Sequence, residues 1–107
     1  MQSNLKKRIG VDVGRRAKLE DGLAWAAVNE VFYIDIQLDS GANAIENFDE
    51  ARCETVKGMC QDHDIHLGLH TLSGVNMAEY SNFFRQAADE YLRAYIDMAT
   101  RLDAEWI

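Results

Sequence analysis

Val31–Leu38 reads VFYIDIQL, eight residues in which β-branched and aromatic side chains alternate with polar ones. Phe32, Ile34, Ile36 and Leu38 share one face, while Tyr33, Asp35 and Gln37, followed by Asp39, share the other. A strand of this kind has one side suited to a core and one suited to water. The same parity recurs on either side of it. In Ile9–Val13, Ile9, Val11 and Val13 oppose Gly10, Asp12 and the following Gly14. In Ile65–Leu72 (IHLGLHTL), Ile65, Leu67 and Leu69 oppose His66, Gly68 and His70.

Between these strands lie helical patterns. Lys18–Asn29 places Leu19, Leu23, Ala26 and Ala27 at helical spacing, with Gly22 as a weak point. Phe48 to about His63 carries Cys53, Val56, Met59 and Cys60 inward. Asn47 followed by Glu50 predicts its N-cap and capping-box partner. Ser81 to about Arg101 is a long helix with Phe84, Ala88, Tyr91, Tyr95, Met98 and Leu102 on one stripe, read as core packing. Gly41–Asn47 and Ser73–Tyr80 are loops, and Ala104–Ile107 (AEWI) starts a fourth strand. Asn29, Asp64 and Asp103 mark the helix-to-strand junctions, where a left-handed residue is often needed. The order βαβαβα implies an α/β fold with parallel strands, in one domain over residues 1–107.

Composition narrows the function classes. The 107 residues carry a net charge of −7, which repels phosphate backbones and argues against a nucleic-acid partner. No run approaches the roughly 18 apolar residues of a membrane span, so no membrane partner is expected, and the expected setting is cytoplasmic. Cys53 and Cys60 lie about 10 Å apart along one helix and read as small core hydrophobes. No GxGxxG, GxxxxGK[ST], CxxC or HExxH occurs.

Parallel strands covered on both faces normally read as continuous apolar runs. Here the polar faces must line something wet. A closed barrel with a polar, ligand-binding interior meets that demand; a half-exposed sheet with helices on one side is the alternative. In a barrel the strand C-termini form the active face, which promotes Gly14, Asp39, His70 and Thr71 and demotes His66. His70 is the leading candidate for substrate contact. Asp12 and Asp35 read as polar lining below it or as members of a structural salt bridge, and Asp39 as a sugar-hydroxyl ligand or a turn residue. Arg15 and Arg16 would meet an anionic group or solvent. Asp62-His63-Asp64-Ile65-His66 fits no standard metal spacing.

The runs RIGVDVG, YIDIQLD and HLGLHTLSGVN, with a long helix ending in RLDAEWI, resemble the sugar phosphate isomerase/epimerase family with its xylose-isomerase-like barrel. Endonucleases of the endonuclease IV type share that superfamily. The resemblance implies a partial (β/α)8 TIM barrel, about three βα units plus the start of a fourth strand. It also implies a small-molecule sugar substrate and a divalent metal (Mn, Mg, Co or Zn) held by Glu, Asp and His on later strands. His70 matches a histidine that contacts substrate in some members and metal in the endonuclease branch. Asp64 and Asp103 stand where relatives commonly have a junction glycine.

A complete barrel needs about 250 residues. The chain is therefore expected to be the amino-terminal portion of a longer enzyme and inactive alone, with self-association through open sheet edges. The alternatives are a fragment of an endonuclease-IV-like metal phosphodiesterase, or a non-catalytic truncated domain.

Overall fold

The structure is a computed structural model that describes residues 2–107. Its elements run α1 (Gln2–Lys6), β1 (Gly10–Asp12), α2 (Leu19–Val28), β2 (Tyr33–Ile36), α3 (Glu50–Asp62), β3 (His66–Leu69) and α4 (Asn82–Leu102), with two short 3-10 turns between β2 and α3. The strands form one parallel sheet in the order β1-β2-β3. Trp106 continues it with an isolated parallel bridge to Gly68. The α/β expectation and the parallel sheet hold. The regular strands are shorter than the sequence patterns that announced them, because pairing stops where the chain bends into each loop. The short α1 was not anticipated.

The apolar strand faces lie where the parity puts them. Ile34, Ile36 and Leu38 of the second segment and Ile65, Leu67 and Leu69 of the third are buried with Leu19, Leu23, Val56, Tyr95, Met98 and Leu102 from the three helices. Val11 and Val13 pack partly against this core. One contiguous hydrophobic layer therefore holds α2, α3 and α4 to the sheet, as expected when apolar area leaves water.

Two local details differ from the sequence reading for identifiable reasons. The N-cap of α3 is Asp49, whose carboxylate accepts the Arg52 N–H at 2.7 Å, and not Asn47. Asn47 instead donates from its side chain to Gly41 O, bracing the preceding loop. The first left-handed junction is Glu30 (φ 56°), one residue after Asn29; Asp64 (φ 53°) and Asp103 (φ 52°) fall where expected. Asn29 uses its side-chain amide to close the last turn of α2 on Trp25 O, so the bend passes to the next residue.

Gly22 is a requirement of the fold and not only a weak helix position. A Cβ there would stand 2.9 Å from both methyls of Val13, so the glycine lets α2 lie close on the first strand. α2 has no side-chain cap of its own. Asn43, the one buried polar residue among the described residues, reaches from the β2–α3 loop and accepts the Leu19 N–H at 2.8 Å while donating to Ala17 O. Arg52 binds Glu20, Asn43, Ala42 O and Asn47 O and lies over the Phe48 ring, locking the same corner. Burial pushes the Glu20 carboxyl up, but the Arg52 hydrogen bonds and charge outweigh it and hold it below its ordinary value.

The long-helix stripe splits in two. Tyr95, Met98 and Leu102 are buried, Tyr91 is half-buried, and Phe84 is 66% exposed. Phe84 therefore corrects the reading of the whole stripe as core: the sheet is too short to reach the first turns of α4. No helix among the described residues is long and apolar enough to cross a membrane.

Candidate functional site

Three polar side chains from three strands converge at the C-terminal end of the sheet's uncovered face. The register sets Asp12 beside Asp35, and Asp35 beside Gly68. Gly68 offers no side chain, and the third polar group of this face comes from His70, two residues further on. His70 Nδ1 lies 3.0 Å from Asp35 Oδ2 and 4.0 Å from Asp12 Oδ2.

The backbone fixes each member. Val13 donates its N–H to Asp35 O at 3.0 Å, and the chain then turns at Gly14 (φ 80°). The Gly14 N–H caps Asp12 Oδ1. His70 donates its N–H to Ile36 O at 2.9 Å, and its carbonyl accepts from the Tyr95 hydroxyl at 3.5 Å. The buried Tyr95 hydroxyl also accepts the Leu38 N–H at 2.8 Å. One helical tyrosine thus ties the ends of the second and third strand segments together directly behind His70. Burial, then the Tyr91 hydrogen bond, pushes the Tyr95 hydroxyl well up, so it stays a neutral donor.

With a carboxylate facing Nδ1, the neutral imidazole carries its proton there and presents Nε2 as an acceptor. Asp35 has one oxygen spent on the ring and its buried Oδ1 without a protein partner. The arrangement is a His–Asp pair with a second carboxylate at its flank. Such a pair can take or return a proton at Nε2 and can accept hydrogen bonds from hydroxyl groups.

Asp39 does not join this group. Its Oδ1 accepts the Tyr91 hydroxyl at 2.6 Å, and Tyr91 in turn accepts the Leu72 N–H at 2.9 Å. Burial and this carboxylate push the Tyr91 hydroxyl up. After Ile36 the strand ends and the backbone turns, so alternation no longer keeps Asp39 on the face of Asp35. Its place is a tether between the strand end and α4. Arg15 and Arg16 lie exposed in the turn after β1. His66 is at the opposite end of the same face, 2.6 Å from Glu105 Oε2 and stacked on Tyr33 at 4.9 Å. Cys53 and Cys60 are buried and unpaired, with burial raising the Cys60 thiol to about 11.

Sequence reasoning missed the aromatic floor. The Trp106 indole lies against Gly68, so close that a Cβ there would overlap it. Tyr33 stands beside it, ring centroids 6.3 Å apart. Together with Gly10, Asp12 and Asp35 they line a cleft of about 260 Å³ on the uncovered face. Strand parity placed Tyr33 there; Trp106 needed the pairing of its segment with β3, which a four-residue apolar run does not reveal.

Among the described residues, Asp12, Asp35 and His70 are the only group with metal-ligating geometry, their ligand atoms lying within 4.8 Å of one another. The Asp62–His66 run does not assemble one. Two carboxylate oxygens and one imidazole nitrogen fit part of the shell of a hard or borderline divalent ion, the rest falling to water or substrate. No protein-family model matches the chain, and no curated protein matches it.

Proposed function

We propose that the chain supplies the first three βα units of a xylose-isomerase-like barrel that isomerises or epimerises a sugar or sugar phosphate, with His70 at its mouth. The observation that carries this reading is the convergence of Asp12, Asp35 and His70 from three parallel strands on one uncovered face. A closed barrel gives that face a lumen, and the cleft over Tyr33 and Trp106 gives a sugar both a ring surface to stack on and carboxylates for its hydroxyls.

In this reading His70 Nε2 meets a substrate hydroxyl, and Asp35 holds the ring with Nε2 outward. Asp12 adds an acceptor at the flank. A divalent metal, when bound, would polarise the sugar carbonyl and favour proton transfer between adjacent carbons. With the metal bound, His70 Nδ1 would give up its proton and join Asp12 and Asp35 in holding it, alongside carboxylates from later strands. The chain alone is expected to be inactive.

Titration of the ¹⁵N-labelled chain with a panel of aldoses and ketoses, with and without Mn²⁺, tests the reading. Shifts at Asp12, Asp35 and His70 that His70→Ala abolishes are the expected result. No shift on this face with any sugar would end it. Reading the DNA past the Ile107 codon gives an independent check, since the family resemblance demands in-register Glu, Asp, His and Glu on later strands.

A further inference from the structure

The backbone ladder between β2 and β3 stops just past their last paired residues, where His70 donates its N–H to Ile36 O at 2.9 Å. In a parallel ladder of this register the next two bonds would run from Leu38 N–H to His70 O and from Leu72 N–H to Leu38 O. Neither forms directly. In the first place stands the Tyr95 hydroxyl, which accepts the Leu38 N–H at 2.8 Å and donates to His70 O at 3.5 Å. In the second stands the Tyr91 hydroxyl, which accepts the Leu72 N–H at 2.9 Å and donates to Asp39 Oδ1 at 2.6 Å. Leu38 O, released from the ladder, accepts the Ile45 N–H at 3.0 Å from the loop that follows.

The two tyrosines lie one turn apart on α4, their ring centroids 4.9 Å from each other. Together they replace two successive bonds of the ladder. An interposed hydroxyl satisfies a backbone group on either side, yet it keeps the two further apart than a direct bond would. The strand ends are therefore spread at the level of His70. Asp39 supplies the acceptor that turns the Tyr91 proton toward the β2 side and leaves an oxygen lone pair for Leu72.

We propose that Tyr91 is a positioning residue for His70, acting through Leu72, and that Asp39 orients Tyr91 for that task. A continued ladder would set His70 level with Gln37. With the ends spread, the His70 ring leans back to Asp35, 3.0 Å away. Loss of the Tyr91 hydroxyl frees the chain two residues after His70 and lets the ring leave Asp35. The importance of this for catalysis rests on the role given to His70 above; the positioning itself does not.

Imidazole ¹⁵N spectra of the full metal-free chain at about pH 8, where an ordinary histidine is neutral, read the effect without any sugar. The parent should carry the His70 proton on Nδ1, facing Asp35. In Tyr91→Phe that tautomer should lose its dominance, and the Leu72 amide should exchange about fivefold faster, the equivalent of one hydrogen bond. The His66 ring, held by Glu105 and Tyr33 at the other end of β3, should not change. Asp39→Ala should act like Tyr91→Phe, whereas Asp39→Asn, which keeps an oxygen for the hydroxyl, should restore the parent spectrum. A parent proton on Nε2 overturns the proposal. So does an unchanged His70 tautomer beside faster Leu72 exchange, which makes Tyr91 a tether of the loop alone. Equal changes at His66 and His70 report general loosening and overturn it too. Should Tyr91→Phe fail to fold, the two Asp39 variants decide on the same signals. Sugar titration of the parent is scored apart: no binding there ends the functional reading and leaves the positioning to these spectra.

Discussion

His66 opens β3 and His70 follows its last residue, four positions on, yet their surroundings are opposite in kind. His66 is stacked on Tyr33 and bonded to Glu105. His70 stands about half-exposed between two carboxylates, and its backbone is clamped by Ile36 and Tyr95. One end of the face spends its histidine on holding segments together, whereas the other fixes the main chain and leaves a ring nitrogen to solvent. Residue type therefore says little about role. What matters is the end of a parallel strand at which the residue lies and whether its free atoms are used up locally.

The sharpest way to break this contrast is to disturb the closed end. Gly68→Ala drives a methyl into the Trp106 indole. It should cost about 2–3 kcal/mol by overpacking, with red-shifted tryptophan emission as the indole leaves the sheet. Denaturant unfolding followed by fluorescence measures both. If stability is unchanged, Trp106 does not seal that end.

Next is the clamp behind the open end. Tyr95→Phe keeps the ring but strips the acceptor from the buried Leu38 N–H and the donor from His70 O. The expected loss is about 1–2 kcal/mol, together with faster amide exchange at Leu38 and His70. Exchange rates unaltered at both amides would separate the clamp from the site.

Acid should act at the Arg52 corner. Glu20, held low by Arg52, contributes stability that is complete above its ordinary pKa of 4.5 and is lost as pH falls through its lower folded value. Melting scans from pH 6 downward should show the decline, and Arg52→Ala should flatten it, with an effect of about 1 kcal/mol for a partly exposed pair.

The smallest effects compare the histidines themselves. His66→Ala removes a stack and a hydrogen bond to Glu105 and should cost about 0.5–1 kcal/mol. His70→Ala should stay within about 0.5 kcal/mol of the parent. Equal losses, measured side by side by chemical denaturation, would erase the distinction between the two ends.

Much of this was legible in the sequence. Period-two alternation placed Asp12, Asp35 and His70 on one face and the aliphatic residues on the other, because strand parity is a local property. Asp39 was not legible, since alternation ends when the backbone leaves the ladder. Trp106 and Asn43 were not legible either, as each acts through a partner 24 or more positions away: Asn43 on Leu19, Trp106 on Gly68 and Tyr33. Phe84 misled because helical periodicity reports a stripe without reporting where the sheet beneath it stops.

Glu30, Asp64 and Asp103 bend the chain in the same left-handed way, each between the end of a helix and the next sheet segment. A recurrent hinge of one shape gives the molecule a modular grammar. Each bend sends the chain from its helix back to the sheet on the same heading, so that all three long helices come to rest on one side of it.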